Sequence, residues 1–339
     1  MKGNIMKKLT NTMKAKTTIT TGFNKVMQLK SKTMQFKMRN NIFNVFFRTI
    51  SALAFLSLTI EPTLAQQDFS QVEIIPHQLT DNIYYLEGQG GNIGVSIGED
   101  GVFMIDDQFA PLSEKILDTL EDLSDQPVRF VINTHQHPDH IGGNQNMGRE
   151  GAVIVAHENV RTALAAGFTN GDLAQALTAD QRIGLPIVTF TDSVDFHLNG
   201  DDIHVFYNGS GHTNGDSFVF FRQSNIIHTG DVFRTVAYPR VDVGAGGTFH
   251  GIVASYEKLL EISDANTRFL PGHGVVSKQA DVLSQLQMFK TIANRVQNAI
   301  DDGMSLEQVL AAGLTAEYDA RWGDPQGMLT AVFNELIIR

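Results

Sequence analysis

From residue 72 onward, short apolar runs alternate with longer stretches in which apolar residues recur every three or four positions. The runs Val72 to Ile75, Ile83 to Leu86, Asn92 to Ile97 and Val102 to Ile105, broken by Gly88, Gly90, Gly91 and Gly101, predict a meander of strands. Leu112, Ile116, Leu120 and Leu123 share one face of a helix over Pro111 to Leu123. Val128, Phe130 and Ile132, alternating with Arg129, Val131 and Asn133, predict a buried strand, and Ala152 to Ala156 a further one. Residues 157–185 are Ala-rich and helical in part. A second set of strands follows at Val188 to Phe190, Ser193 to Leu198, Ile203 to Tyr207, Ser217 to Phe221 and Asn225 to Ile227. Two helices then show clear stripes: Ile252, Tyr256, Leu259 and Leu260 in one, Val282, Leu286, Phe289, Ala293, Val296 and Ile300 in the other. Leu306, Val309, Leu310, Leu329, Val332, Phe333 and Ile337 predict terminal helices with a structural role. Strands alternate with helices in two successive halves with no linker between them. The expectation is one domain over residues 66–339, of α/β (α+β) class, with two sheets face to face and helices outside.

Residues 1–65 follow no such pattern. They hold 11 of the 26 Lys and Arg residues and one acid, Glu61. Lys37, Arg39 and Arg48 approach a 12-residue apolar stretch, Thr49 to Ile60, and Thr63-Leu64-Ala65 offers small residues to a signal peptidase before Gln66. The stretch falls short of the roughly 20 residues needed to span a bilayer. It reads as a cleaved secretory signal, with Met34 and Met38 as alternative starts to Met1. The remainder carries 15 basic and 36 acidic side chains, a formal charge of −21. That charge repels phosphate backbones, so nucleic acid is not an expected partner. The chain has no cysteine, hence no disulfide, thiolate ligand or lipid-bearing cysteine. A periplasmic or secreted protein, free of the membrane after signal cleavage, is expected. Oligomeric state leaves no signal in the sequence.

The chemistry concentrates after the strand ending at Asn133, in Thr134-His135-Gln136-His137-Pro138-Asp139-His140-Ile141-Gly142-Gly143. So many polar rings cannot be buried together without partners, and a metal is the simplest one. His135 and His137, two apart in extended chain, project the same way. Pro138 turns the chain, and Asp139 and His140 face a neighbouring position, so the loop could seed a centre of two metals. Three further polar residues end strand-like runs beside glycine: His212 in Gly209-Ser210-Gly211-His212-Thr213, Asp231 in His228-Thr229-Gly230-Asp231, and His273 in Leu270-Pro271-Gly272-His273-Gly274. Among the other histidines, His228 is placed to support a ligand, and Asn133 and Thr134 to orient the loop by hydrogen bonds.

The succession H-x-H-x-D-H, G-H-T, G-D and P-G-H-G resembles the metallo-β-lactamase superfamily of metallohydrolases, over residues 72–280. The resemblance implies a four-layer αββα sandwich of two mixed β-sheets flanked by helices, with the site at one edge. It implies two Zn2+ per chain: His135, His137 and His212 on one, Asp139, His140 and His273 on the other, and Asp231 bridging. The all-nitrogen-and-oxygen donor set also admits iron or manganese.

Two zinc ions sharing a water lower its pKa from ~15.7 towards ~7, which makes hydroxide available at neutral pH, with Asp139 as the residue that orients it and moves its proton. The expected substrate is a small acyl compound: a β-lactam, lactone, ester or thioester. Export favours a β-lactam; a bridging Asp231 favours a lactonase or a glyoxalase II-like thioesterase. Arg234 and Arg240 are candidates for a substrate carboxylate, and Tyr238 for an oxyanion. The charge and signal argue against an RNase Z-like enzyme, His137 and the absence of a flavin domain against a flavodiiron protein, and export against a persulfide dioxygenase. A zinc-binding module without catalysis is the alternative from another class.

Overall fold

Side chains alternate across each strand, and here the alternation sorts apolar residues between two different layers. The computed structural model describes residues 68–171 and 175–338; residues 1–65, expected to carry a secretory signal, lie outside them. Seven strands stand side by side in chain order: β1 (Ile75–Gln78), β2 (Ile83–Glu87), β3 (Ile93–Ser96), β4 (Val102–Ile105), β5 (Val128–Asn133), β6 (Val153–His157) and β7 (Val188–Phe190). β1 to β4 pair antiparallel; β4 to β7 pair parallel. The switch coincides with the first helices, because parallel neighbours need a long crossover. α1 (Ser113–Leu123) links β4 to β5, α2 (Pro138–Ile141) and α3 (Asn144–Arg149) link β5 to β6, and α4 (Glu158–Phe168) and α5 (Ala179–Ile183) link β6 to β7.

The second sheet has six strands: β8 (Ser193–Leu198), β9 (Asp201–Tyr207), β10 (Ser217–Phe221), β11 (Ile226–His228), β12 (Arg268–Leu270) and β13 (Ser277–Lys278), also neighbours in chain order. Only β11 and β12 pair parallel, across the crossover helix α6 (Phe249–Ile262). α7 (Gln279–Asp301), α8 (Leu306–Ala311), α9 (Ala316–Trp322) and α10 (Gln326–Leu336) complete the chain.

In β4, Val102 and Met104 pack with Ile116 and Leu120 of α1, whereas Phe103 and Ile105 enter the space between the sheets. There they meet Ile203, Val205, Val219 and Phe221. In β10 the neighbouring Phe218 turns the other way, to the layer of Tyr256 and Phe289 from α6 and α7. Each such fully buried side chain contributes about 1.5–3 kcal/mol. Three apolar layers thus separate four layers of structure, the αββα sandwich.

Two details depart from the sequence pattern. The first strand begins at Ile75, not Val72, because Lys115 Nζ takes the carbonyls of Phe69 (3.2 Å), Ser70 (2.9 Å) and Val72 (2.6 Å) that a neighbouring strand would otherwise use. β13, only two residues long, carries no periodic signal. The sheets are joined at one edge: Ser217 N at the start of β10 donates to Thr134 O after β5 (2.9 Å), and Asn92 N before β3 donates to Gly272 O after β12 (2.6 Å).

Candidate metal centre

That edge gathers all seven histidines and aspartates singled out by the motifs. Among the described residues, three overlapping groups have ligand atoms within 4.8 Å of one another: His135, His137 and His212; His135, His140 and Asp231; Asp139, His140 and His273. His135 and His137 leave β5, His140 lies on the single turn of α2, and His212 sits between β9 and β10. Asp231 follows β11 and His273 follows β12. Asp231 lies between the groups, with Oδ1 3.3 Å from His140 Nε2, and Oδ2 3.4 Å from His273 Nε2 and 3.7 Å from His212 Nε2. His135, His140, His212 and Asp231 form a buried floor. His137, His273 and Asp139, at 14, 22 and 27 % side-chain exposure, form the open side.

Each inner ring is held by its outward nitrogen. His212 Nδ1 donates to Arg240 O (2.7 Å), His137 Nε2 to Asp242 Oδ2 (2.8 Å) and His140 Nδ1 to Asp106 Oδ2 (2.7 Å). Asp106 Oδ2 also accepts from Thr134 Oγ1 (2.8 Å), so that hydroxyl accepts from His135 Nδ1 (3.0 Å). With the protons outside, the lone pairs of His135 Nε2, His137 Nδ1 and His212 Nε2 converge, His137 Nδ1 lying 3.1 Å from the first and 2.8 Å from the last. Three lone pairs at that spacing repel unless a cation lies among them. The spacing approaches the ~3.3 Å edge of a tetrahedron with zinc–nitrogen bonds of ~2.05 Å. His140 Nε2 and Asp231 Oδ1 are moreover buried with no hydrogen-bond partner. The donor set fits metal ions.

The backbone accommodates this crowding where only glycine can. A Cβ on Gly91 would stand 2.2 Å from His140 Cε1, and one on Gly272 2.2 Å from Asp231 Oδ1. His212 is fixed from behind by Asp216, whose Oδ2 accepts from His212 N (2.6 Å) and Oδ1 from Thr213 Oγ1 (2.7 Å), which explains the threonine of the G-H-T motif.

Electrostatics favour neutral rings at His135 and His212. Burial and the neighbouring His140 and His212 hold His135 well below the ordinary histidine range, and burial brings His212 down to about 4. His140 is opposed by burial, yet the Asp231 and Asp106 carboxylates raise it well above that range. Burial pushes Asp139 up, but its hydrogen bond to His273 and the charge of His140 bring it down to about 2, so it is ionised.

The pocket candidates separate. Arg240 is exposed, its carbonyl on His212 and its charge beside Asp242. Arg234 is half-buried with Nε enclosed, and its charge acts on the Tyr256 hydroxyl of α6. Tyr238 does not reach the centre: its hydroxyl donates to Asp319 (2.8 Å), because its loop packs under α9 and the buried phenol needs an acceptor there. The Tyr238 oxyanion role is therefore corrected to a structural one. His228 is a support: its Nδ1 accepts from Gly230 N (3.2 Å) and its Nε2 donates to Asn92 O (3.1 Å). Asn133 pairs with Asn144. Asp106 and Asp242 were not singled out from the sequence. Asp106 follows the apolar run of β4, and an acid in that position at a sheet edge was the available signal.

The model of the Metallo-beta-lactamase superfamily matches residues 86–273, and the chain belongs to that superfamily. It is 24 % identical over 255 residues to the Metallo-beta-lactamase type 2 of Bacillus cereus, covering 72 % of this chain and 93 % of that protein. It is 20 % identical over 241 residues to the 2,4-dinitroanisole O-demethylase subunit alpha of Nocardioides sp. (strain JS1661), covering 70 % and 68 %. A metallo-beta-lactamase from Pontibacter korlensis superposes with a TM-score of 0.54 at 19 % identity, covering 64 % of this chain and 99 % of that one. The DIM-1 metallo-beta-lactamase does so with 0.54 at 17 %, covering 65 % and 99 %. These structures share the fold. Superfamily membership with this cluster makes the chain a metal-dependent hydrolase.

Proposed function

We propose that the chain is an exported hydrolase that binds two zinc ions and cleaves a β-lactam, with a lactone, ester or thioester as the second reading. The convergence of the His135, His137 and His212 lone pairs beside the orphaned His140 Nε2 and Asp231 Oδ1 carries the reading. His135, His137 and His212 would hold one ion, Asp139, His140 and His273 the other, with Asp231 between them. When bound, the zinc supplies a Lewis acid for a carbonyl oxygen and an acidified water.

The chain's residues do the rest. Asp139, ionised on the open side with Oδ2 beside His273 Nε2 (3.1 Å) and His140 Nε2 (3.7 Å), offers Oδ1 to orient a water and take its proton. The buried floor excludes solvent, so substrate approaches from the side of Asp139 and Arg240. Arg240 offers a guanidinium to a substrate anion on the His212 side. The name of the Bacillus relative supports a β-lactam. Asp231 in a chain without cysteine supports the second reading.

The basic and apolar segment before Gln66 supports export; a secreted protein that begins at Gln66 agrees with it, and an intact cytoplasmic chain contradicts it. No helix among the described residues is long and apolar enough to cross a membrane. The test of function is hydrolysis of a chromogenic cephalosporin, a lactone and S-lactoylglutathione by the zinc-loaded protein, with His137→Ala as control. Turnover of the cephalosporin, lost in the variant, is expected. Turnover of the lactone or thioester alone selects the second reading, and bound metal with no turnover makes the chain a zinc-binding module.

A further inference from the structure

α9 lies along the loop that carries Asp231. Arg321 Nη2 donates to Thr235 O (2.7 Å), Tyr238 N donates to Trp322 O (3.2 Å), and the Tyr238 hydroxyl reaches Asp319. Thr235 is tied in turn to the His273 loop: its N–H donates to His273 O (3.1 Å), and its Oγ1 accepts from Val275 N (2.8 Å). Between α9, these loops and the start of α7 lies a cavity of about 280 Å³, lined by Thr235, Val275, Val276, Arg321 and Trp322 among others. The cavity therefore shares its wall with the loop presenting a candidate metal ligand.

Its lining has two characters. Val275, 66 % exposed, with Val276 and the Trp322 ring, offers apolar surface. Arg321 stacks its guanidinium over Trp322 at 4.5 Å and forms no ion pair among the described residues. One nitrogen is spent on the Thr235 carbonyl, which leaves Nη1 and Nε as donors. Gln285, buried in the wall, accepts from the Tyr256 hydroxyl through Oε1 (2.8 Å) and keeps its amide donors. The carboxylate that lines the cavity, Asp281, turns Oδ2 to Lys278 N (2.9 Å) at the start of α7. A guanidinium stacked on Trp322 beside Val275 and Val276 suits a carboxylate carried on an apolar body.

We propose that this cavity is a substrate subsite that takes a carboxylate-bearing apolar group, the carboxylate on Arg321 and the body against Val275, Val276 and Trp322. It rests on the hydrolase reading, in which that group is the distal end of the acyl substrate reacting at the centre. The cavity lies on the His273 side and Arg240 on the His212 side, so the two arginines recognise different ends.

Trp322 is the only tryptophan of the chain, so its fluorescence reports the cavity without any need for turnover or metal. Phenylacetate is the probe and 2-phenylethylamine, the same ring with a cation, the control. Phenylacetate is expected to change the emission saturably, in metal-loaded and metal-depleted protein alike, and the amine is not. Arg321→Gln and Val275→Asp each weaken the apparent affinity about tenfold or more; Val275 is exposed enough for the second variant to fold. For two hydrolysed substrates that differ only in a distal carboxylate, Arg321→Gln raises KM for the acid about tenfold more than KM for the neutral analogue. No saturable response in the wild type, an equal response to the amine, or full affinity in Arg321→Gln overturns the proposal. Turnover without phenylacetate binding overturns the subsite alone. Phenylacetate binding without turnover of any acyl compound overturns the hydrolase reading and leaves a carboxylate-binding site.

Discussion

Replacing Asp106 by asparagine tests whether His140 is a metal ligand. The fully buried carboxylate accepts from Thr134 N (2.7 Å), Thr134 Oγ1 (2.8 Å) and His140 Nδ1 (2.7 Å). Asparagine keeps its shape and tolerates the positive φ of 62° at this position. It leaves one oxygen for Thr134 N but places an NH2 where Oδ2 accepted two donors. His140 meets a donor in place of an acceptor, and its favourable response is to move its proton to Nε2. That proton occupies the lone pair aimed at Asp231 and Asp139, and the second ion loses a ligand. Removing such an orienting partner costs about 10–100-fold in metal affinity, about 1.4–2.8 kcal/mol. The fold loses about 1.5–3 kcal/mol for the charge-assisted bond, a loss that a domain of ordinary stability survives. The His135, His137 and His212 group touches Asp106 only through Thr134, so the first ion stays. Metal-depleted protein is titrated against a chromophoric chelator, and imidazole tautomers are read by nitrogen-15 NMR. One tight and one weakened site, with His140 protonated at Nε2, is the expected result. Two unchanged affinities, or a proton still on His140 Nδ1, would show that His140 is not a ligand oriented by Asp106.

Gly272→Ala drives a methyl group to within 2.2 Å of Asp231 Oδ1, so bound metal falls and hydrolysis drops by about tenfold or more; unchanged metal content would show that Asp231 has room to move. Tyr238→Phe removes the bond to Asp319 and lowers stability by about 1 kcal/mol, readable as a lower Tm, while kcat stays within about twofold. A large fall in kcat at unchanged Tm would return the hydroxyl to the reaction. Chelation of the ions removes about 4 kcal/mol when metal had stood at a thousandfold excess over Kd, on the order of 10 °C in Tm; an unchanged Tm would show that the cluster folds without them.

The residues of the cluster were legible because each stands in a short glycine-flanked motif at a strand end, where local sequence alone sets direction. The strands were legible for a related reason: β4 and β10 are apolar on both faces, and Phe103 and Phe218 needed no partner to be recognised as buried. Asp106 and Asp242 were not, since they reach their histidines across 34 and 105 residues with no motif between. Tyr238 misled because its position after Asp231 resembles a pocket wall, whereas the direction of its hydroxyl is set by Asp319, which lies 81 residues further on. The role of α9 was hidden likewise: no apolar stripe marks residues 316–322, and its contact with the His273 loop passes through Thr235.

The proposed hydrolysis requires the cluster to hold two metal ions. Equilibrium dialysis of the purified protein against zinc, followed by metal analysis and repeated for His137→Ala and His140→Ala, counts them directly. Two zinc ions per chain in the wild type and about one in each variant is the predicted result. No bound metal in the wild type, or two in both variants, would contradict the assignment of these residues.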